Sequence, residues 1–194
     1  MRIWILLLLP LFISFSYVEN KKRDIKVDAG IYEVLYSESL EQPKEVWYTV
    51  ECPNGKASRK GMDFYINDSI YTSSQDDYEN NIWDKGHMAP AADFSCDRET
   101  LYRTFSYLNC ALQHQDLNRG VWRLLEAKER EIAKTQDVNV HIVLIFTKSS
   151  KKLPSGATVP DAFKKEITYS GKTDVYYFNN EKPLSSDPKK YKTN

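Results

Sequence analysis

The sequence predicts an α+β fold. Three observations carry that expectation. Two short runs near the N-terminus, Ile31 to Tyr36 and Val46 to Cys52, are rich in aromatic and β-branched residues. A longer stretch from about Asp116 to Thr135 repeats apolar residues at helical spacing, and the apolar run Val138 to Phe146 follows it directly. With 194 residues, 41% hydrophobic and 28% charged, the chain suits one globular domain with an ordinary core, placed at 17–194.

Ahead of that domain, Arg2 is followed by the apolar run Ile3 to Ile13, broken at Pro10 and short for a membrane span. Residues 1–16 read as a secretory signal, with small Ser14 and Ser16 placed for cleavage before Tyr17; an uncleaved N-terminal anchor is the competing reading. The signal implies a secreted or periplasmic protein without stable membrane association. Glu19 to Asp24 is a polar, charged leader. The two β-like runs come next, joined by Ser37 to Lys44. Pro53 to Trp83 is loop-like, punctuated by Asn67-Asp68, Ser73-Ser74 and Asn80-Asn81. Loops of such length in compact domains are usually functional or mobile. Asp97 is placed to cap a short helix reaching Tyr107. In the longer helix, Leu117, Val121, Leu124, Leu125, Ala127 and Ile132 form the apolar stripe, and Glu126 with Arg130 supports the charged face at i,i+4. Val138 to Phe146 is the clearest strand, Thr147 to Thr158 a loop, and Tyr176 to Phe178 a last strand. From about residue 180 the composition turns polar and lysine-rich, and the tail is expected to fray. No internal repeat or interdomain linker is visible.

Of 27 basic and 27 acidic residues, loss of Arg2 with the signal removes one basic residue and leaves a formal charge of −1. A chain that bound polyanions through its overall field would show a basic excess, so a nucleic-acid ligand has to be gripped by a local patch and a metal ion. The three cysteines, Cys52, Cys96 and Cys110, allow at most one intramolecular disulfide. Cys96 and Cys110 flank one short helical segment and are candidates for it; three small buried residues are the alternative. No Cys/His spacing suited to zinc occurs.

The chemistry concentrates in two blocks. In Asp84-Lys85-Gly86-His87-Met88-Ala89-Pro90-Ala91-Ala92-Asp93-Phe94, a histidine sits in a Gly- and Pro-bounded turn. Its ordinary pKa near 6.5 lets it accept a proton near neutrality when the other ring nitrogen donates to a fixed acceptor. The second block runs Asn109-Cys110-Ala111-Leu112-Gln113, then Asp116 to Trp122, then Glu126. Asn118 offers a hard amide oxygen, though an asparagine near a helix start also serves as an N-cap. Glu126 follows eight residues later, about 12 Å along and about 80° around an ideal helix, and is otherwise a surface carboxylate paired with Arg130. His141 falls inside the apolar strand and reads as structural. His114 lies in a loop, and Trp122 falls close to the apolar stripe, as a core residue does.

Together, DKGHMAPAADF and the N-x8-N-x3-W-x3-E pattern resemble the DNA/RNA non-specific endonucleases of the ββα-metal (His-Me finger) superfamily, from about Tyr32 to Phe178. The resemblance implies a mixed, mainly antiparallel sheet with packed helices and a ββα-metal finger at the active site. It implies His87 as general base and Asn118 as the one direct protein ligand to Mg²⁺, with Mn²⁺ as a substitute. Glu126 would hold a metal-bound water, Asn109 would orient groups around the metal water or phosphate, and Arg59 would contact the scissile phosphate, with Lys60 or Lys56 as the alternative contact. The substrates would be DNA and RNA, cut to 5′-phosphate ends. Three departures stand out: Lys85 in place of the usual arginine, Leu112 in place of a proline, and Thr147-Lys148 in place of Thr-Gly. The chain also lacks the final strand and helix pattern of many relatives beyond Asn180. The rival reading is a catalytically silent, nuclease-like domain that only binds nucleic acid or protein. Retention of Arg59, His87, Asn118 and Glu126 together opposes it.

Overall fold

The computed structural model describes residues 22–193; the expected signal segment and its cleavage point lie outside the described residues. Six strands form one sheet in the order β1-β2-β3-β6-β7-β8. They are β1 (Asp24–Asp28), β2 (Tyr32–Ser37), β3 (Gln42–Thr49), β6 (Asn139–Ile145), β7 (Ala162–Tyr169) and β8 (Lys172–Asn179). Every neighbouring pair is antiparallel. A separate antiparallel ribbon pairs β4 (Trp83–His87) with β5 (Cys110–His114).

The side-chain period of two decides which face of the large sheet is buried. Tyr32, Val34 and Tyr36 of β2, Val46 and Tyr48 of β3, Val140, Ile142 and Leu144 of β6, Phe163 and Ile167 of β7, and Tyr176 and Phe178 of β8 all enter one core. Trp122 covers them from the helical side, its ring 5.4 Å from Phe163 and 5.5 Å from Phe178. It is a core residue, as its place near the stripe implies. On the other face, His141 bridges Glu45 at 2.9 Å and Glu166 at 3.3 Å and stacks on Trp47. These contacts make it a cross-strand tie, in keeping with the structural reading.

The predicted long helix is interrupted. A short helical turn, α2 (Gln115–Leu117), runs into a wide five-residue turn at Asn118–Trp122, and α3 (Arg123–Ala133) follows. The backbone leaves helical geometry at Gly120 (φ −98°, ψ −116°), the weakest helix former in the segment. Leu117, Val121 and Leu125 keep their places in the core, but Leu124, 39% exposed, and Ala127, also exposed, turn outward. Asp97 caps α1 (Arg98–Arg103) as expected, accepting from Thr100 N at 2.8 Å, and the helix ends before Tyr107.

Four strands escape the sequence reading: β4 and β5, where the sequence reads as a turn around His87 and a loop at His114, and β1 and β7. β1 looks like a continuation of the polar leader, because an edge strand with one solvated face needs few apolar residues. β7 (AFKKEITY) has its alternation hidden by Lys165, which points into the core and is fully buried against Glu129. The tail does not fray. Pro188–Tyr191 form a 3-10 turn, Tyr191 stacks on Phe178 at 4.7 Å, and Thr193 N donates to Val175 O at 2.8 Å. The disulfide joins Cys52 to Cys96, Cα atoms 5.3 Å apart, and not Cys96 to Cys110. Cys110 is a buried free thiol donating to Tyr78 Oη at 3.2 Å. Among the described residues, no helix is long and apolar enough to cross a membrane.

Candidate active site

The β4-β5 ribbon and the helical segment after it make a ββα unit, and a cavity of about 940 Å³ opens where they meet the 57–64 loop. His87 ends β4, opposite Cys110, and Gly86 faces Ala111. A glycine is needed before the histidine: a Cβ at residue 86 would fall 2.7 Å from Gln113 Cβ and 2.5 Å from its Oε1, and Gln113 is fully buried. Past His87 the chain turns sharply through Met88 and Ala89, both fully buried, into a 3-10 turn at Ala91–Phe94.

Asn109 holds that turn. Its Oδ1 accepts from Ala89 N at 2.7 Å, and its Nδ2 donates to Ala89 O at 2.8 Å and Thr104 O at 3.0 Å. The side chain is fully buried and absent from the cavity lining, so its expected place around the metal or phosphate is corrected to that of a backbone brace. Three of the four hydrogen bonds an amide can make are thus spent on the backbone of the turn.

His87, Arg59, Asn118 and Glu126 all line the cavity. The His87 ring packs between Phe64 (centroids 4.7 Å) and Phe105 (4.8 Å). The fixed acceptor anticipated for one ring nitrogen is not there. Nε2 is buried with no partner among the described residues, and aromatic packing orients the ring instead. Burial first, and then the Arg59 charge, hold the imidazole down at a pKa of about 3, so it is neutral across the physiological range. A phosphate anion beside the ring would oppose the Arg59 charge and favour the protonated form.

Asn118 stands in the wide turn. Its Nδ2 donates to Asp84 Oδ2 at 2.9 Å, and no partner for its Oδ1 is found among the described residues. Asp84 also takes a two-point contact from Arg119, Nε at 2.8 Å and Nη2 at 2.6 Å, so the motif strand is tied to the start of the helical segment. Glu126 is half-buried, and its carboxyl is pushed up to about 8, chiefly by burial, with Asp93 and Glu129 adding and Lys165 and Arg130 opposing. It has no hydrogen bond to Arg130. That guanidinium donates instead to the buried Asp93 at 2.7 Å, so the i,i+4 pairing read from the sequence is replaced by a cross-link between α3 and the motif.

Sequence reasoning passed over several lining residues. Arg119, Arg123 and Arg130 recur on one side of the helical segment and join Arg59 and Lys85 around the cavity, against the carboxylates Asp84 and Glu126. Five basic against two acidic side chains make the lining cationic, with Lys85, Arg119 and Arg130 each paired to a carboxylate. Spacing alone could have grouped the three helical arginines, but only the turn at Gly120 determines which way they face. Lys85 is drawn toward Asp63 (3.3 Å) and the rings of Phe64 and Tyr107, a point charge at the rim. His114 caps α2 through Asp116 N at 3.1 Å and lies outside the cavity lining.

The donor set fits a hard, well-hydrated cation. Oxygen donors from Asn118 and Glu126 share the cavity, and among the described residues no group of three His, Cys, Asp or Glu side chains could chelate a metal. Such a site suits Mg²⁺, which keeps most of its waters, better than Zn²⁺.

Comparison with known proteins places these features. The chain is 34% identical over 83 residues to the mitochondrial nuclease EXOG of Danio rerio, covering 41% of this chain and 24% of that one. It is 31% identical over 91 residues to mitochondrial endonuclease G of Bos taurus, covering 45% and 30%. It is 30% identical over 102 residues to the nuclease of Serratia marcescens, covering 49% and 38%. The matched stretches thus span well under half of these relatives. The crystal structure of the EndoG/EndoGI complex, which concerns EndoG inhibition, superposes with a TM-score of 0.77 at 22% identity over 89% of this chain and 81% of that one, a likeness of fold. The family described as DNA/RNA non-specific endonuclease matches residues 14–192, nearly the whole chain, and this protein belongs to that family.

Proposed function

We propose that this protein is a secreted, Mg²⁺-dependent endonuclease that hydrolyses phosphodiester bonds of both DNA and RNA. One observation carries the reading: a neutral histidine, an unpaired arginine, an amide oxygen and a carboxylate meet in one cationic cavity on a ββα unit. A merely binding domain would use the cationic rim but would leave His87 and Asn118 without a role.

In this reading the His87 imidazole accepts a proton from the attacking water as its oxygen closes on phosphorus. Arg59 donates its guanidinium fork to the non-bridging oxygens, where negative charge grows. Asn118 would hold Mg²⁺ through Oδ1, and the bound ion supplies Lewis-acid stabilisation of phosphate and leaving oxygen. Glu126, held protonated near neutrality by burial, would ionise beside the bound cation and then accept hydrogen bonds from waters on that side of the cavity. The P–O3′ bond breaks, the departing O3′ takes a proton from a water in the cavity, and the products are a 5′-phosphate and a 3′-hydroxyl. The Asp84 bridge to Asn118 and Arg119 keeps base and amide in register. Export is supported by the apolar run after Arg2 and by the Cys52–Cys96 disulfide, a bond that persists in oxidising compartments.

Purified protein incubated with plasmid and with RNA, in Mg²⁺ or in chelator, tests the reading. Both substrates should be cut in Mg²⁺ and neither in chelator; undiminished cutting in chelator would refute metal dependence.

A further inference from the structure

The 52–64 segment that carries Arg59 has almost no regular structure, yet it is tied at defined points to the segment that follows the histidine motif. Cys52 is bonded to Cys96, and its backbone N donates to Asp93 O at 2.8 Å. Gly55 comes so close to Ser95 that a Cβ there would meet the Ser95 carbonyl at 2.4 Å, and Ala57 N donates to Ser95 O at 2.9 Å. Ala57, Met62 and Phe64 pack on Ala91, Leu101 and Phe105.

The most specific tie comes from Arg98, the first residue of α1. Its Nη1 donates to Ser58 O at 2.8 Å and its Nη2 to Lys60 O at 3.2 Å. These are the carbonyls on either side of residue 59. Arg98 lies outside the cavity lining, and its link to the site runs through the loop. A rigid planar fork can hold two carbonyls at a fixed separation, which a single ammonium cannot do equally well. The Asp97 cap fixes the start of the helix from which Arg98 projects.

We propose that Arg98 is a positioning residue for the reaction, which together with the Cys52–Cys96 disulfide clamps the loop so that Arg59 is set over the cavity. The inference rests on the endonuclease reading for what Arg59 does there. Freed from the clamp, an exposed loop samples many conformations, and few of them place the guanidinium against phosphate. A misplacement of about 1 Å costs on the order of 10²-fold in rate, so a loosened Arg59 should slow the reacting complex more than it weakens binding.

The test is a double-mutant cycle on the full chain, read by single-turnover cleavage at saturating plasmid and by DNA affinity. Arg98→Ala should lower the rate constant by about 10-fold or more while Kd changes by less than about 3-fold, and Arg98→Lys should regain part of the loss. Arg59→Ala/Arg98→Ala should be no slower than Arg59→Ala alone, because Arg98 acts through Arg59. A wild-type rate in Arg98→Ala, or a double variant whose loss is the product of the two single losses, overturns the clamp. Cys52→Ser/Cys96→Ser should behave like Arg98→Ala; should it not fold, the arginine cycle decides alone. If the wild-type protein cuts nothing, the endonuclease reading fails by itself. The clamp is then judged by hydrogen exchange: Arg98→Ala should speed exchange at the amides of Ala57 and Met62 and leave β6 unchanged, and protection equal to wild type at those amides refutes it.

Discussion

Replacing Lys165 by methionine should destabilise the fold more than any single change at the cavity rim. Lys165 Nζ lies 2.8 Å from Glu129 Oε1, and both side chains are fully buried. The ammonium also sits 4.5 Å over the Trp122 ring, and Glu129 Oε2 accepts from Tyr48 Oη at 2.9 Å. Methionine keeps most of the volume but strands Glu129 in the same interior as Asp93, which is fully buried too. Removing one partner of a buried pair costs about 3–5 kcal/mol, a large part of the roughly 5–15 kcal/mol that holds a domain together. For a domain of this size the loss corresponds to a drop of about 10 °C in Tm. Chemical denaturation at pH 8 under non-reducing conditions reads it directly. Lys165→Met/Glu129→Met should recover most of the loss, because no charge is then left unpaired, with a residual of about 1 kcal/mol for the Tyr48 hydroxyl. A single variant within about 1 kcal/mol of wild type would refute the argument that this ion pair is structurally coupled.

Three further outcomes follow from the site. The Glu126 carboxyl, at about 8 in the folded protein against about 4.3 unfolded, binds a proton in the native state that the unfolded chain has lost. Its contribution to stability is therefore full below about pH 4 and is lost as pH rises through about 8; Glu126→Gln should flatten the fall in denaturation midpoint between pH 5 and 8.5 in chelator. Arg59→Ala should lower kcat by roughly 10²–10³ with a much smaller change in KM. It should also raise the His87 pKa, which NMR titration of the ring can follow, since the arginine charge is the second cause of its depression. Asn118→Ala should weaken Mg²⁺ activation far more than DNA binding, measured as the Mg²⁺ concentration for half-maximal rate against Kd in chelator.

Much of the fold was legible because its elements carry strong local periodicity. β2, β3 and β6 alternate cleanly, and α3 keeps part of its stripe, at Leu125 and Ile132. β1 and β7 were not legible for opposite reasons. β1 is an edge strand with little to bury, and β7 buries a lysine whose partner lies on α3, 36 residues earlier in the sequence. The break at Gly120 was also hidden, because one glycine in an otherwise helical pattern does not reveal whether the chain bends. Within the site, His87, Arg59, Asn118 and Glu126 do converge on one cavity. Asn109 does not, since residue type cannot distinguish an amide that faces substrate from one that braces a turn. The Asp84 bridge, the Asp93–Arg130 tie and the Arg98 fork are contacts between distant segments, and spacing along the chain carries no signal for them.

Single-turnover cleavage of supercoiled plasmid by wild type and His87→Ala, at saturating Mg²⁺ and DNA, tests the central claim most directly. If the histidine is the proton acceptor, the variant folds normally, binds DNA as tightly, and loses on the order of 10²–10⁴ in the rate constant. The wild-type product ends should carry 5′-phosphates. A His87→Ala variant that cuts at near wild-type rate contradicts the account.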